Sequence, residues 1–343
     1  MRAVVKETPG PGLVLKDVPT PTPGPGEVLV RVKAASICGT DSIIYDWEPW
    51  AERRMKPPRV IGHEFAGEVA SLGEGVEGLK EGQRVSAESH YFCGHCYQCR
   101  TGRLEVCRNV RIMGVDADGA FAEFVVVPAR NIWLNHPDIP DHIATIQEPL
   151  GNAVDTVLIE DIAGKRVLIT GAGPIGLMCA AVARACGATR IIVADPNEYR
   201  LELATHLGAD VVLNPKVTKL SGPVLSATGG DGVDVLLEVS GSGEALREGL
   251  SLVTPGGRVS LLGIFKGSLQ LDLNNDIIFK KLRIFGITGR RVFSTWNTVS
   301  RLLSSRRLDL GPLVTHELPL EEFRKGFDLM HKGRCGKVVF RVG

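Results

Sequence analysis

At 343 residues the chain is long enough for two domains, and with 44% apolar residues it can bury large cores. Its formal net charge is +1, with a sequence pI of about 7.6 and no block of like charge, which excludes the electrostatic footprint of a nucleic-acid or membrane-surface binder. No apolar run reaches bilayer-spanning length and Met1–Gly12 lacks a signal-peptide core, so a cytoplasmic location is expected.

The first part of the chain reads as β. Ala3–Lys6, Leu13–Asp17 and Glu27–Ala35 have strand composition, and Val28, Val30 and Val32 fall on one face. The run from Pro19 to Gly26 is a short stiff connector between strands. Cys38-Gly-Thr40-Asp41 follows, and then an aromatic stretch in which Trp47 and Trp50 suit pocket lining and ordinary packing equally well. His63-Glu64 sits on a turn before a strand that ends near Gly73. Two further strands, Gly82–His90 and Ala120–Val127, flank a cysteine-rich lobe, and Glu148–Val154 reads as a turn entering a helix.

From Gly164 the pattern alternates strand and helix. Apolar runs at 167–170, 191–194, 211–213, 233–239, 258–263 and 282–287 are separated by crossovers, which describes a doubly wound parallel sheet and an α/β fold class. The last fifty residues break this alternation. They predict a helix near Thr295–Arg306, an amphipathic helix over Leu320–Lys332 and a closing strand Lys337–Val342 that returns to the first domain. The expected division is therefore discontinuous: 1–147 with 296–343, and 148–295.

The core of the second unit is Gly171-Ala-Gly173-Pro-Ile175-Gly176, set between the strand Val167–Thr170 and an Ala-rich helix that stops at Gly187. Gly171 permits the tight turn, Gly173 lets backbone approach a pyrophosphate, and Gly176 lets the helix pack close to the strand. The free amides at the helix start face the phosphates. Asp195 lies nineteen positions after Gly176, where an acid binds ribose hydroxyls and repels a 2′-phosphate. The expected cofactor is NAD rather than NADP.

Two sets of residues suit zinc. Cys93, Cys96, Cys99 and Cys107 place four thiols within fifteen residues, enough to wrap a tetrahedral ion on all sides and leave no place for substrate. An Fe–S cluster uses the same four-cysteine ligation and is the weaker alternative. His95 inside the lobe reads as exposed loop. Cys38, His63 and Glu64 together offer a thiolate, an imidazole and a carboxylate with room for a fourth ligand, as catalytic zinc requires. Glu64 suits the outer shell as well as the inner one, and Glu148, where the two units meet, could reach the same ion.

These motifs together resemble the zinc-dependent medium-chain dehydrogenases, over essentially the whole chain. The resemblance implies a GroES-like β-barrel catalytic domain joined to a Rossmann domain, and a zinc-dependent, NAD-dependent oxidation of a secondary alcohol of a small molecule. It places catalytic zinc on Cys38, His63 and Glu64, structural zinc on the four lobe cysteines, and cofactor contacts on Ile175, Asp195, Arg200, Leu262, Gly263, Ile264, Gly286 and Ile287. Thr40 falls at the proton-relay hydroxyl and Glu148 at its supporting acid. The stretches 35–41, 148–154, 195–204 and 286–296 are most similar to the members that oxidise L-threonine to 2-amino-3-oxobutanoate; polyol, cyclitol and sugar-phosphate dehydrogenases share the machinery and form the alternative. Relatives are commonly homotetramers, with Arg290 or Arg291 expected near a subunit interface. Two positions depart from the family pattern: Ile43 stands where a relay histidine is usual, and Asp155 follows Val154 where a histidine is usual.

Overall fold

The computed structural model describes residues 1–343. The chain is an α/β protein built from a GroES-like β-barrel unit and a Rossmann unit. In the first, Val28, Val30 and Val32 of the strand Glu27–Ser36 are buried as the alternation required, and this strand pairs antiparallel with Glu64–Leu72 and with Phe124–Pro128. Arg84–Ala87 and Ile132–Leu134 extend the sheet on one side. On the other side the last strand, Lys337–Arg341, pairs antiparallel with Glu27–Ser36, so the C-terminus closes the first unit. Val28, Phe65, Phe121, Phe323 and Phe340 share its core.

The second unit is a six-stranded parallel sheet. Its order is Val211–Leu213, Arg190–Ala194, Arg166–Thr170, Val233–Glu238, Val253–Leu261, Arg283–Gly286. The order reverses between Arg166–Thr170 and Val233–Glu238, and ligands bind outside the carboxyl ends of strands at such a point. Successive side chains serve opposite faces. Val167, Ile169, Ile191 and Val193 enter one core, whereas Leu168, Ile192 and Leu236 enter the other. Both faces are covered by helices, which explains why these runs read as continuously apolar.

The helix Gln147–Leu158 links the units. Leu150, Ala153 and Val154 pack with Met178 and Val182 of the helix Pro174–Ala185 and with Val299 and Leu303 of the helix Ser294–Ser304. Two expectations shift in detail. The fifth strand of the parallel sheet begins at Val253, five residues earlier than its apolar signal: Val253 pairs with Val233, and the register then shifts across Pro255, Gly256 and Gly257 before Arg258 pairs with Val235. The aromatic stretch folds as two short helices, Gly39–Asp46 and Pro49–Arg54, with Trp47 in the left-handed region between them. The Trp47 ring packs under Lys6 Nζ at 4.7 Å, and Trp50 is exposed.

Candidate active site

Cys38 ends an extended segment and caps the helix Gly39–Asp46; its backbone amide donates to Asp41 Oδ2 at 2.9 Å. His63 and Glu64 follow Gly62, whose φ of +90° and lack of a side chain are both required: a Cβ there would stand 2.2 Å from the Phe121 ring. These elements bring one ligand atom each from Cys38, His63 and Glu64 within 4.8 Å of one another. Three buried atoms at this point lack hydrogen-bond partners: Asp41 Oδ1, His63 Nδ1 and Glu64 Oε1. Asp41 Oδ1 stands 3.7 Å from His63 Nδ1, where a carboxylate orients a metal-binding imidazole. Burial opposes protonation of His63, but the Cys38 sulfur and the Asp41 carboxylate outweigh it and raise the ring's pKa well above its ordinary value. Burial pushes the Asp41 carboxyl up to about 6, against the pull of His63. A thiolate, an imidazole and a carboxylate with an unpartnered oxygen make a donor set that fits zinc.

Glu64 has a second set of partners with no local signature in the chain. Its Oε2 accepts from Lys337 Nζ and Ser36 Oγ, and Lys337 Nζ also donates to Ile37 O at 2.8 Å. Lys337 and Glu64 are both buried. Only Oε1 remains for a metal.

Glu148, near the start of the linking helix, belongs to a larger buried network. Arg290 lies at its centre with no exposed surface. Its guanidinium donates to both oxygens of Glu88 at 2.7 and 2.6 Å, to Glu148 Oε1 at 2.7 Å, to Asn152 Oδ1 at 2.9 Å and to Ser89 Oγ at 3.0 Å. Trp296 Nε1 donates to Glu88 Oε2 at 2.9 Å, and His90 Nδ1 lies 3.1 Å from Glu88 Oε1. Burial works to raise the Glu88 pKa, yet the Arg290 charge holds it well below the usual carboxylate range. Arg290 is thus an internal residue beside the metal-type site rather than the interface residue expected from resemblance. Arg291 is half exposed and pairs with Asp155, the residue that replaces a histidine of the family pattern.

Gly171 has φ +98°. Gly173 caps the helix Pro174–Ala185, and a Cβ on it would meet nothing within 4 Å, so its surface is open toward a ligand. A Cβ on Gly176 would lie 1.9 Å from Gly171 O. Asp195 Oδ2 accepts from Ala172 N at 2.7 Å and Oδ1 from Asn197 N at 2.8 Å, so this carboxylate also holds the turn in shape. A cleft of about 860 Å³ runs past Gly171, Gly173, Asp195 and Arg200. A second cavity, of about 300 Å³, joins Cys38 and Glu64 to Gly173, Ile175 and Gly176. Leu262, Gly263, Ile264, Gly286 and Ile287 lie at the carboxyl ends of the last two parallel strands and line neither cavity; Ile264 is 88% exposed. The open turn and the acid beside it fit a dinucleotide.

The four lobe cysteines converge around the short helix Tyr97–Arg100, with all sulfurs within 4.8 Å of one another. Cys96 Sγ lies 3.5 Å from Cys99 Sγ and 3.8 Å from Cys107 Sγ. A tetrahedral ion with metal–sulfur bonds of about 2.3 Å sets its sulfurs about 3.8 Å apart. The amides of Cys93 and Asn109 both donate to Cys107 Sγ at 3.3 Å, which stabilises a thiolate there. His95 is exposed and bonds Cys93 O, outside the sulfur cluster.

Residues 24–141 match the alcohol dehydrogenase GroES-like domain, and residues 174–305 match the zinc-binding dehydrogenase domain. The chain is 55% identical over 343 residues to the L-threonine 3-dehydrogenase of Pyrococcus horikoshii, covering 100% of this chain and 99% of that protein. Among solved structures, alcohol dehydrogenase TADH from Thermus sp. ATN1 superposes with a TM-score of 0.92 at 33% identity, covering 100% of both chains. A protein described as a short chain alcohol dehydrogenase from Escherichia coli CFT073, complexed with NADH, has a TM-score of 0.91 at 33% identity and covers 99% of both chains. The fold, the two metal-type clusters and the glycine turn therefore stand in a chain that belongs to the zinc-binding alcohol dehydrogenases.

Proposed function

We propose that this chain oxidises the secondary alcohol of L-threonine with NAD, forming 2-amino-3-oxobutanoate. The observation that carries the reading is the cavity in which Cys38 and Glu64 meet the glycine turn at Gly173–Gly176, since hydride transfer needs the alcohol site and the nicotinamide in one enclosure. Full-length identity to curated L-threonine 3-dehydrogenases selects the substrate.

Cys38, His63 and Glu64 hold a catalytic zinc in this reading, and the lobe cysteines hold a structural one. When bound, the catalytic ion makes an alcohol O–H acidic and NAD accepts the hydride. The rest falls to the chain. Thr40 Oγ1, 3.8 Å from Cys38 Sγ, accepts the proton at the edge of the metal site. Glu148, clamped by Arg290 and Ser89, sets the charge of the cavity from just outside the ligand triad. Asp195 and Arg200 take the adenosine end of the cofactor, whereas the 262–264 and 286–287 segments are cofactor contacts on the resemblance alone, since they line neither cavity. We divide the chain into 1–147 with 296–343 and 148–295, although Val299, Leu303, Leu310 and Leu313 pack in the Rossmann core and draw the second boundary toward Leu313.

No helix is long and apolar enough to cross a membrane, and we place the protein in the cytoplasm. We infer a homotetramer. The edge strand Arg283–Gly286 is paired on one side only, and Leu273, Ile278, Phe279 and Ile284 are exposed beside it, an apolar patch of the kind that subunits cover.

The test is NADH formation across L-threonine, L-serine, 2,3-butanediol, sorbitol, inositols and sugar phosphates, repeated with NADP. L-Threonine with NAD should have the highest kcat/KM. A polyol better by more than about tenfold, or ~1.4 kcal/mol in transition-state binding, would replace the substrate assignment.

A metal measurement separates the two clusters. The expected content is two zinc ions per chain. A mild chelator should remove the ion at Cys38, His63 and Glu64 first, because that site keeps an open position, and activity should vanish while far-UV circular dichroism is unchanged. Unfolding in step with the loss of activity would contradict this assignment of roles.

A further inference from the structure

We propose that His331 releases the alcohol proton to solvent, in place of the imidazole that position 43 lacks; the proposal rests on the dehydrogenase reading above. Ile43 packs against the barrel core and has no proton to exchange. The other ionisable groups near the cavity are engaged: Glu148 by Arg290 and Ser89, and the His90 ring by Glu88.

His331 is differently placed. It ends the helix Phe323–His331 and lines the same cleft as Gly171, Gly173 and Asp195, with its side chain 36% exposed. Its Nε2 lies 2.8 Å from Ser42 Oγ and 3.2 Å from Asp46 Oδ2, both on the helix that begins Gly39-Thr40. A carboxylate at one ring nitrogen fixes the tautomer, with the proton on Nε2, and leaves Nδ1 as the base. The groups facing the ring are Asp46 and Tyr45 from the Thr40 helix, the latter edge-on at 5.6 Å, and Lys332 next along the chain. Lys6 of the first strand acts on Asp46 from behind. Asp46 is the nearest charge, and it sits where the positive charge of a protonated ring develops.

The step balances with NAD as the oxidant. The alcohol O–H bond breaks and its electron pair forms the second C–O bond. Hydride leaves the carbon for the nicotinamide. The proton passes from the Thr40 hydroxyl, through water, to His331 Nδ1 and then to bulk solvent.

The zinc-loaded full chain is compared as wild type, His331→Gln and Asp46→Asn. Two quantities are followed: proton release on mixing the NAD-loaded chain with L-threonine, read by an indicator dye in stopped flow, and kcat for L-threonine against pH. His331→Gln should slow proton release and lower kcat by about 10²-fold near neutrality, with NAD affinity retained. The gap should close as pH rises and hydroxide takes over, and added imidazole should restore part of the rate. Asp46→Asn should give an intermediate profile. A His331→Gln profile that overlays the wild type overturns the proposal. So does a loss confined to NAD affinity, which would make His331 a cofactor contact. The two failures differ: a wild-type chain that forms no NADH from any alcohol ends the dehydrogenase reading, whereas an active wild type with an unchanged variant profile ends only the proton route.

Discussion

Arg290→Ala is expected to destabilise the protein by about 3–5 kcal/mol at neutral pH, the cost of leaving a buried charge without its partner. Arg290 is the only cation whose hydrogen bonds reach both Glu88 and Glu148, and all three side chains are buried. The pair Glu88–Arg290 spans the two units, so its loss should also loosen the junction where Glu148 sits. The pH dependence has a definite sign. In the wild type the Glu88 carboxyl is held below its unfolded value, so this contribution is complete above the ordinary carboxylate pKa of about 4.3 and is lost as pH falls further. In the variant the Glu88 carboxyl loses the Arg290 charge, and burial opposes its ionisation. The difference between the two proteins should therefore be largest at pH 7 and shrink below about pH 5. Urea unfolding at several pH values checks this, and a gap independent of pH would mean that the guanidinium acts through packing alone.

Gly176→Ala should raise the dissociation constant for NAD by about 10²-fold or more, the penalty for a displacement of about 1 Å in a positioned site. Alanine favours a helix over glycine by about 1 kcal/mol. That gain is outweighed, because the new methyl would stand 1.9 Å from Gly171 O, and only movement of the turn relieves the contact. Overpacking of this kind costs about 1–3 kcal/mol. The moved atoms belong to the turn whose amides face the phosphates. Calorimetric titration with NAD, together with zinc analysis, is the measurement: metal content should be unchanged while affinity falls. Wild-type affinity would show that the helix can retreat from the strand without disturbing the turn.

The parallel sheet was legible because each strand is a continuous apolar run bounded by turn residues, and because the glycine fingerprint marks which strand comes first. The four-cysteine lobe was legible because its ligands are close in sequence. The Cys38–His63–Glu64 triad was harder: its members are separated by twenty-five residues, and the adjacency comes from the pairing of Glu27–Ser36 with Glu64–Leu72, which sets Ser36 opposite Glu64. What the sequence hid were the long-range buried partners. Lys337 is 273 residues from Glu64, and Arg290 is 202 from Glu88. A lysine in a closing strand or an arginine after a glycine has no local signature of burial, since most such residues are solvated. Asp195 likewise stood where a ribose-binding acid is expected, but its sequence position did not show its hold on the backbone of the turn.

The cysteine lobe makes the history of each molecule matter. Its sulfurs are brought together by a four-residue helix and a few N–H···S contacts. Backbone amides from His95 and Cys96 lower the pKa of the Cys93 thiol, so a thiolate forms there more readily than on an ordinary cysteine. Its neighbours are within reach of oxidative cross-linking. An ion that arrives first protects the cluster, whereas an oxidant that arrives first removes the ligands it needs. Two preparations of identical sequence can thus differ permanently in quality, according to whether zinc or oxygen reached the newly made chain sooner.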